Sequence, residues 1–322
     1  MQATALIILN YNNAAATADC LRSVRTYNSA RIKTVVVDNA SRPEQREALI
    51  DVFRREFGDG AAVVEATATG ARDALCGRDA ALLLCPENSG YAQGNNAGLE
   101  LAYADPDVDT VMILNNDILF VEDIIPGLLG ILDARPDAAV VSPVLYKKDM
   151  QGLDLNCARR KPAVGAIIKA NLLHYWWRLR GYRPKEQYIL AEESAPTSGV
   201  IPVDLPSGSC MLLRKDVFRR IGGFDPATFL FYEENILNAR AEAIGLRNYL
   251  SLDHRCIHLG AATTSAPSQA SYPIMKAGAE SACHYVEHYS GASLPMRLLH
   301  RLSWHFFLLT FRIQKALGIK VG

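Results

Sequence analysis

Asn115-Asn116-Asp117 closes an apolar run, Val111–Leu114, with two amides and a carboxylate, and another apolar stretch follows at once. Such a triplet can form a turn, because Asn and Asp side chains bond their own backbone. It can also meet a polar ligand, because the end of a strand buried on both faces is the first place where side chains leave the core. The same choice recurs where Asn10-Tyr11-Asn12 follows Ala5–Leu9, Asp38-Asn39-Ala40-Ser41 follows Thr34–Val37, and Pro86-Glu87-Asn88 follows Ala81–Leu84. Residues 88–98, NSGYAQGNNAG, set glycines and amides at the start of a helical run. Free N–H groups and small residues there let a backbone approach a diphosphate, although a glycine-rich helix start also serves plain packing. The chain has neither GxxxxGK[ST] nor a GxGxxG after a strand, so the P-loop and dinucleotide readings lose their main support.

The elements that carry these residues alternate. Ala5–Leu9 precedes a helical pattern over Ala14–Thr26, Thr34–Val37 precedes Pro43–Phe57, and Ala81–Leu84 precedes Tyr91–Ala104. Val111–Leu114 then precedes Glu122–Ala134, and Ala139–Ser142 follows. Strands alternating with helices of this length predict a parallel, doubly wound α/β sheet. In such a sheet ligands bind in the crevice beyond the carboxyl ends of the strands, which is where the amides and carboxylates fall.

A chain of 322 residues, 49% hydrophobic and 21% charged, can bury a sizeable core. Lys+Arg and Asp+Glu both count 34, so no overall field favours a polyanion and no nucleic-acid partner is expected. The 7 cysteines are scattered without a CxxC pair, which argues against a disulfide framework or a structural zinc site and suits a reducing cytoplasm. The first ten residues lack a basic n-region and cleavage site, and Phe306–Phe311 is far short of the roughly 20 apolar residues that span a bilayer. The expectation is a cytoplasmic protein, neither exported nor membrane-spanning.

In order, LIILNYNN, VVVDNAS, ENSGYAQGNNAGLELA, VMILNND, LPSGSCMLLRKDVFRRIGGFDPATFLFYEE and IHLGAATT resemble the bacterial inverting glycosyltransferases of family 2, in the branch similar to rhamnosyltransferases of cell-surface polysaccharide assembly. The resemblance covers roughly residues 3–265, and linked motifs are more specific than any one alone. It implies a GT-A fold: a Rossmann-like doubly wound sheet with a nucleotide-sugar half over about residues 1–146, an acceptor half over about 147–265, and a C-terminal helical appendage over 266–322.

The likeness also implies roles. Asn115-Asn116-Asp117 takes the place of the family's DxD motif, whose last carboxylate, here Asp117, holds Mg²⁺ or Mn²⁺ against the sugar-nucleotide diphosphate. A hard divalent cation bound by few protein oxygens plus phosphates neutralises the departing diphosphate. Asn115, standing where the first Asp would be, offers an amide oxygen without charge, and His258 aligns with a histidine that approaches the metal or diphosphate. Tyr11 is implied near the base, Asp38 on the base or ribose, and Asn95 near the diphosphate or sugar, with Asn88, Gly94 and Asn116 completing the nucleotide-sugar set. Inversion needs a base on the acceptor side. Glu234 of FLFYEEN aligns with it and Glu233 with its neighbour, although acidic residues also favour helix N-termini through the macrodipole. Asp204, Ser207 and Gly208 resemble the acceptor-side loop before the strand Cys210–Leu213. The family often has a second acid two positions beyond the base, where this chain has Ile236. The expected activity is metal-dependent transfer, with inversion, of a sugar, plausibly rhamnose, from a nucleoside-diphosphate donor to a glycan or lipid-linked acceptor. The alternative, motivated by Asn115 and Ile236, is a GT-A-fold protein that binds sugar nucleotides with little or no turnover.

Two segments lie outside that pattern. Residues 147–197 carry RRK and HYWWRLRGYR, a basic-aromatic mixture that suits a membrane interface or lipid-linked acceptor as well as interdomain packing. Leu298, Leu302, Phe306, Leu309, Ile313 and Leu317 recur at helical spacing beside Arg297, Arg301, Arg312 and Lys315. They predict an amphipathic helix whose apolar face docks on the catalytic domain, on a second subunit in a homo-oligomer, or on the inner face of an anionic membrane. Docking on the catalytic domain is the ordinary outcome.

Overall fold

The computed structural model describes residues 2–148, 150–180, 187–260 and 271–317 of the chain. The first half is built from strands with apolar centres and polar residues toward their ends, such as Lys33 and Thr34 of the second strand and Asp109 and Thr110 of the fifth. The strands are β1 (Ala3–Asn10), β2 (Ile32–Asp38), β3 (Ala62–Glu65), β4 (Ala80–Leu84) and β5 (Val108–Asn115), joined through the helices α1 (Ala14–Tyr27), α2 (Pro43–Phe57) and α3 (Gly90–Ala104). After β5 come β6 (Ile118–Phe120), α4 (Ile125–Ala134) and β7 (Ala138–Lys147). Successive strand residues face opposite sides. Leu6, Ile8 and Val36 join a core with Leu21, Leu49 and Leu128 of α1, α2 and α4, while Ala5, Ile7 and Val35 join one with Leu99 of α3. Burial on both faces explains why these strands read as unbroken apolar runs.

The second half contributes β8 (Ala158–Arg159), α5 (Val164–Leu179), β9 (Val200–Val203), β10 (Leu205–Pro206), β11 (Cys210–Arg214), α6 (Lys215–Arg220), α7 (Glu233–Ala243), β12 (Arg247–His258), α8 (Tyr272–His288) and α9 (Leu294–Ala316). The main sheet runs β3-β4-β2-β1-β5-β11-β7-β12-β6, with β9 on β12. From β3 to β5 all pairings are parallel, as the alternation of elements requires. Beyond β5 the sheet is mixed, because β11 enters antiparallel between β5 and β7, and β6 and β9 pair antiparallel with β12. The expectation of a parallel sheet holds for the strands it was drawn from, β1, β2, β4, β5 and β7, which all run one way, and is corrected only where β6, β9 and β11 add antiparallel pairs: periodicity reports which faces are buried, not the direction in which a strand runs. The chain leaves β1 toward β2 on one side and returns as β5 on the other, so a switch point opens at the carboxyl ends of β1 and β5.

The C-terminal helix corrects a second expectation. Helix α9 does dock, but through His300, Ser303, Phe311 and Gln314, while Leu298, Leu302, Phe306, Leu309, Ile313 and Leu317 remain exposed. Its apolar stripe therefore does not face the catalytic domain. Residues 181–183 of the basic-aromatic segment and 261–264 of the IHLGAATT motif lie outside the described residues.

Candidate functional site

Strand register brings the polar ends together. Asn10 pairs with Asp38 across β1 and β2, and Leu9 pairs with Asn115 across β1 and β5. The Asn10 amide donates to Asp38 Oδ1 at 3.2 Å and to Ser41 Oγ at 3.1 Å, and its own oxygen accepts from Thr17 at 2.9 Å and from Asn116 Nδ2 at 3.3 Å. Asp38 is fully buried, and Arg46 Nε reaches its other oxygen at 2.8 Å. Asn116 and Asp38 therefore brace the floor of the crevice, whereas Tyr11, 39% exposed, stands open at its edge. Asn12 and Ala40, at φ of 53° and 59°, hold the adjoining loops in left-handed backbone, a conformation that non-glycine residues adopt at a cost of about 1–3 kcal/mol.

The glycine-rich segment serves packing more than ligand approach. Asn88 accepts from Asn39 Nδ2 at 2.9 Å and from the Gly90 N–H at 3.0 Å, tying the start of α3 to β2. Gly94 lies in the second turn, where a Cβ would come within 2.7 Å of Leu9 Cδ1 and 3.2 Å of Asn39 Nδ2. The reading of Gly94 as a phosphate-approach position is corrected accordingly, since Leu9 and Asn39 occupy the space its missing side chain leaves. Asn95 is buried as well. Its Nδ2 donates to Tyr91 O at 2.9 Å, and its Oδ1 has no partner.

Asp117 follows β5 at the switch point. It is 8% exposed, and its Oδ1 is buried without a hydrogen bond. Its Oδ2 lies 3.5 Å from His258 Nε2, and the other ring nitrogen of His258 is 2.6 Å from Asp154 Oδ2. Burial opposes a charge on His258, but its hydrogen bonds and attraction to Asp117 and Asp154 prevail and raise its pKa to about 9. His258 is held here because β12 pairs with β6, matching it with Ile118, and because the Leu259 N–H donates to Asp117 O at 2.9 Å. Asn115 is fastened by its backbone N–H to Ser209 O at 2.8 Å and by Nδ2 to Ser209 Oγ at 3.4 Å. An unpartnered carboxylate oxygen beside an amide fits a hard divalent cation that takes its remaining ligands from phosphate and water, with His258 able to join only by giving up its proton. Among the described residues no group of three or more His, Cys, Asp or Glu side chains could hold a metal alone, so Mg²⁺ or Mn²⁺ would depend on the ligand's oxygens.

The acidic pair at the start of α7 divides sharply. Glu234 Oε1 accepts from the Gly208 N–H at 2.9 Å, stands 3.5 Å from an Arg159 guanidinium nitrogen, and lines a cavity of about 300 Å³ with Arg159, Arg160, Gln187 and Tyr232. Glu233 is 5% exposed with Oε1 unpartnered, and burial together with the charge of Glu234 pushes its pKa up to about 8. Gly208 sits between two side chains: its carbonyl accepts from Tyr91 Oη at 2.7 Å, and a Cβ would lie 2.9 Å from Glu234 Oε1 and 3.2 Å from that hydroxyl. Ser207 is joined to Ser209, Oγ to Oγ, at 3.1 Å, and Ser209 Oγ lies 3.4 Å from His258 Nε2. One short loop thus connects the Asp117 corner to Glu234. Asp204 points elsewhere, accepting from the Lys161 N–H at 2.7 Å and lining a separate hollow with Glu242 and Arg247. It is removed from the acceptor-side cluster formed by Ser207 and Gly208.

Tyr91, Arg159, Asp154 and Ser209 belong to this site and were not singled out from sequence. Tyr91 and Ser209 lie inside the motifs NSGYAQGNNAG and LPSGSC, where spacing hints at them, whereas nothing local to Asp154 or Arg159 does. Ile236 is fully buried against Tyr285 and Val286 of α8, so the position that often carries a second acid is here a packing contact.

The profile of Glycosyl transferase family 2 matches residues 5–222. The chain is 29% identical over 145 residues to N-acetylglucosaminyl-diphospho-decaprenol L-rhamnosyltransferase of Mycobacterium tuberculosis, covering 45% of this chain and 44% of that protein. It is 25% identical over 147 residues to a low-salt glycan biosynthesis hexosyltransferase of Haloferax volcanii, covering 46% and 41%. The chain thus spans less than half the length of these curated relatives. A mannosyltransferase of Pyrobaculum calidifontis, solved in complex with GDP-Man and Mn²⁺, shares 15% identity and a TM-score of 0.53 over 97% of this chain and 86% of that one. At that identity the likeness is one of fold, the GT-A arrangement of a mixed, mostly parallel sheet flanked by helices.

Proposed function

The chain belongs to glycosyl transferase family 2, and from that premise we propose that it transfers a sugar from a nucleoside-diphosphate donor to a hydroxyl of a glycan or lipid-linked acceptor, with inversion at C1. Rhamnose is the favoured sugar, on the strength of the decaprenol rhamnosyltransferase relative. The observation that carries the proposal is the division between the two glutamates. Glu234 faces a cavity that has room for an acceptor sugar, while Glu233 is 5% exposed and does not line that cavity.

Glu234 takes the proton of the acceptor hydroxyl as its oxygen forms a bond to C1, and the bond from C1 to the diphosphate oxygen breaks with its electron pair leaving on the diphosphate. The Gly208 N–H and Arg159 hold the carboxylate in place for that transfer. Tyr11 provides an exposed ring for the base, Asp38 and Asn116 brace the crevice floor beneath the nucleotide, and the buried Asn95, joined to Tyr91 O, supports the start of α3 from behind. Asp117, with Asn115 and His258 beside it, is the proposed holder of Mg²⁺ or Mn²⁺. When bound, such an ion neutralises charge that develops on the departing diphosphate.

Substituting Glu234→Gln keeps size and hydrogen bonding but removes basicity. Turnover should fall by about 10²–10⁴, with donor affinity measured by calorimetry nearly unchanged, and Glu233→Gln should do less. Full turnover in the Glu234 variant, with loss in the Glu233 variant, would reverse the assignment.

A further inference from the structure

Two helices turn their apolar sides outward. On α9, Leu298, Leu302, Phe306, Leu309 and Ile313 are between 45% and 65% exposed, whereas polar His300, Ser303 and Gln314 are buried. On α5, Leu172, Tyr175, Trp176 and Leu179 of the later turns are 40% to 68% exposed, while Asn171 is buried and the earlier turns bury Ile167 and Ile168.

The pair is parallel. Asn171 donates to Ser303 Oγ at 3.1 Å, and further along both helices His174 packs on Phe307 with ring centroids 4.5 Å apart. In parallel helices the contact faces, together with a rotation of about 100° per residue, determine where every other face points. On α9 the exposed stripe is centred roughly 110° from the contact with α5, and on α5 the exposed group lies roughly 120° from the contact in the opposite sense. Both apolar faces therefore lie on one side of the pair and form a single plate.

The two helices carry charge of one sign: the charged residues of α5 and α9 are Lys169, Arg178, Arg297, Arg301, Arg312 and Lys315, with no Asp or Glu, in a chain whose acidic and basic residues both count 34. The same rotation sets Arg312 and Arg301 on the flank of the α9 stripe, roughly 80° and 100° from its centre, and Arg297 and Lys315 on the side away from it. Arg301 is offset by Glu287 of α8 at 2.8 Å, while the guanidinium of Arg312 lies 5.3 Å from the Tyr272 ring. On the α5 side Arg180 stacks 4.0 Å over Trp176. Aromatic rings with apolar bodies and basic heads are the composition of an interfacial helix.

The geometry points to an anionic lipid surface as the occupant of this plate, with α5 and α9 lying flat and their basic edge among anionic headgroups. A two-fold dimer through the same face would set one positive edge against its own copy, with no acid on either helix to answer it. Among the described residues no helix is long and apolar enough to cross a membrane, so the contact is peripheral.

Flotation of the full chain with vesicles of phosphatidylcholine, with and without about 30% phosphatidylglycerol, tests this. Anionic vesicles should capture the protein at least about tenfold better at low salt, and both Leu302→Asp/Leu309→Asp and Arg301→Glu/Arg312→Glu should abolish the difference. Melting temperature and donor hydrolysis in solution should be unchanged in Leu302→Asp/Leu309→Asp, whose side chains are exposed, whereas Arg301→Glu also loses the bridge to Glu287. Equal capture by both vesicle types, or full capture of the Leu302→Asp/Leu309→Asp protein, would overturn the proposal. So would a dimer in sedimentation that those substitutions dissociate and that binds no vesicles, since a second copy would then cover the plate.

Discussion

Asp117 carries one buried oxygen that nothing among the described residues satisfies. An unmet acceptor of this kind costs about 1–3 kcal/mol, and its place at a sheet switch point is the residue-level reason for proposing a cation there. The Asp117→Asn protein should fold, because only one oxygen changes, yet its Mn²⁺-dependent affinity for the donor nucleotide should drop roughly 10- to 100-fold. Calorimetry with and without Mn²⁺ decides it, and an undiminished metal effect would remove Asp117 from that role. Asp117 and Tyr11 stood out in the sequence because they lie in short polar stretches after apolar runs, and Glu234 stood out through the family resemblance. Arg159 and Asp154 were not, since their partners Glu234 and His258 are distant in the chain. Ile236 departs from the family pattern for a packing reason, since an acid there would have to be buried against Tyr285 and Val286.

Among the elements, α9 combines an exposed apolar stripe with a buried histidine. His300 accepts from Trp304 Nε1 at 3.2 Å, and burial lowers its pKa to about 4. The unfolded chain takes up a proton on this ring near pH 6.5, while the folded one does so only near pH 4. The stability gained by keeping the ring neutral is therefore complete above about pH 6.5 and is lost as pH falls toward 4. The melting temperature of the native chain should decline over that window more steeply than that of His300→Gln, which keeps an acceptor for Trp304 but does not titrate. Parallel slopes in a pH series of thermal melts would show that His300 contributes nothing. Helix α7 begins with its own tension, for Phe231 and Tyr232 both hold φ of 70° immediately before the glutamates. Bulky residues rarely adopt left-handed backbone, so this loop needs external support.

That support comes from the C-terminal helices. Gly278 of α8 makes room for Phe231, whose ring would stand 3.0 Å from a Cβ there. Ser281 Oγ donates to Leu230 O at 3.0 Å, and Tyr285 packs on Tyr232 with centroids 5.6 Å apart. Asp225, held at a pKa of about 2 despite its burial by bonds from Tyr289 and His284, ties the same helix to the loop after β11 and α6. A Gly278→Val substitution should push Phe231 aside and lower kcat about tenfold or more through misplacement of Glu234, with donor affinity retained. Steady-state kinetics beside calorimetry checks this, and an unchanged kcat would mean that the helices are only appended.

The sequence by itself determined the parallel half of the sheet, because strands buried on both faces have apolar centres and the helices between them have a visible period. It also determined which residue types gather at the strand ends. It could not determine that β11 runs antiparallel between β5 and β7, since burial patterns carry no direction. Nor could it determine that Gly94 packs on Leu9, that Asp204 turns from the site, or that Glu233 and Glu234 face opposite surroundings, because adjacent helix residues differ in environment only once neighbours are in place. The amphipathic tail shows the same division. The period of Leu298–Leu317 was plain, but which side docks was decided by α5 and α8, whose Asn171 and buried surfaces receive the polar face of α9 and leave the apolar one outward.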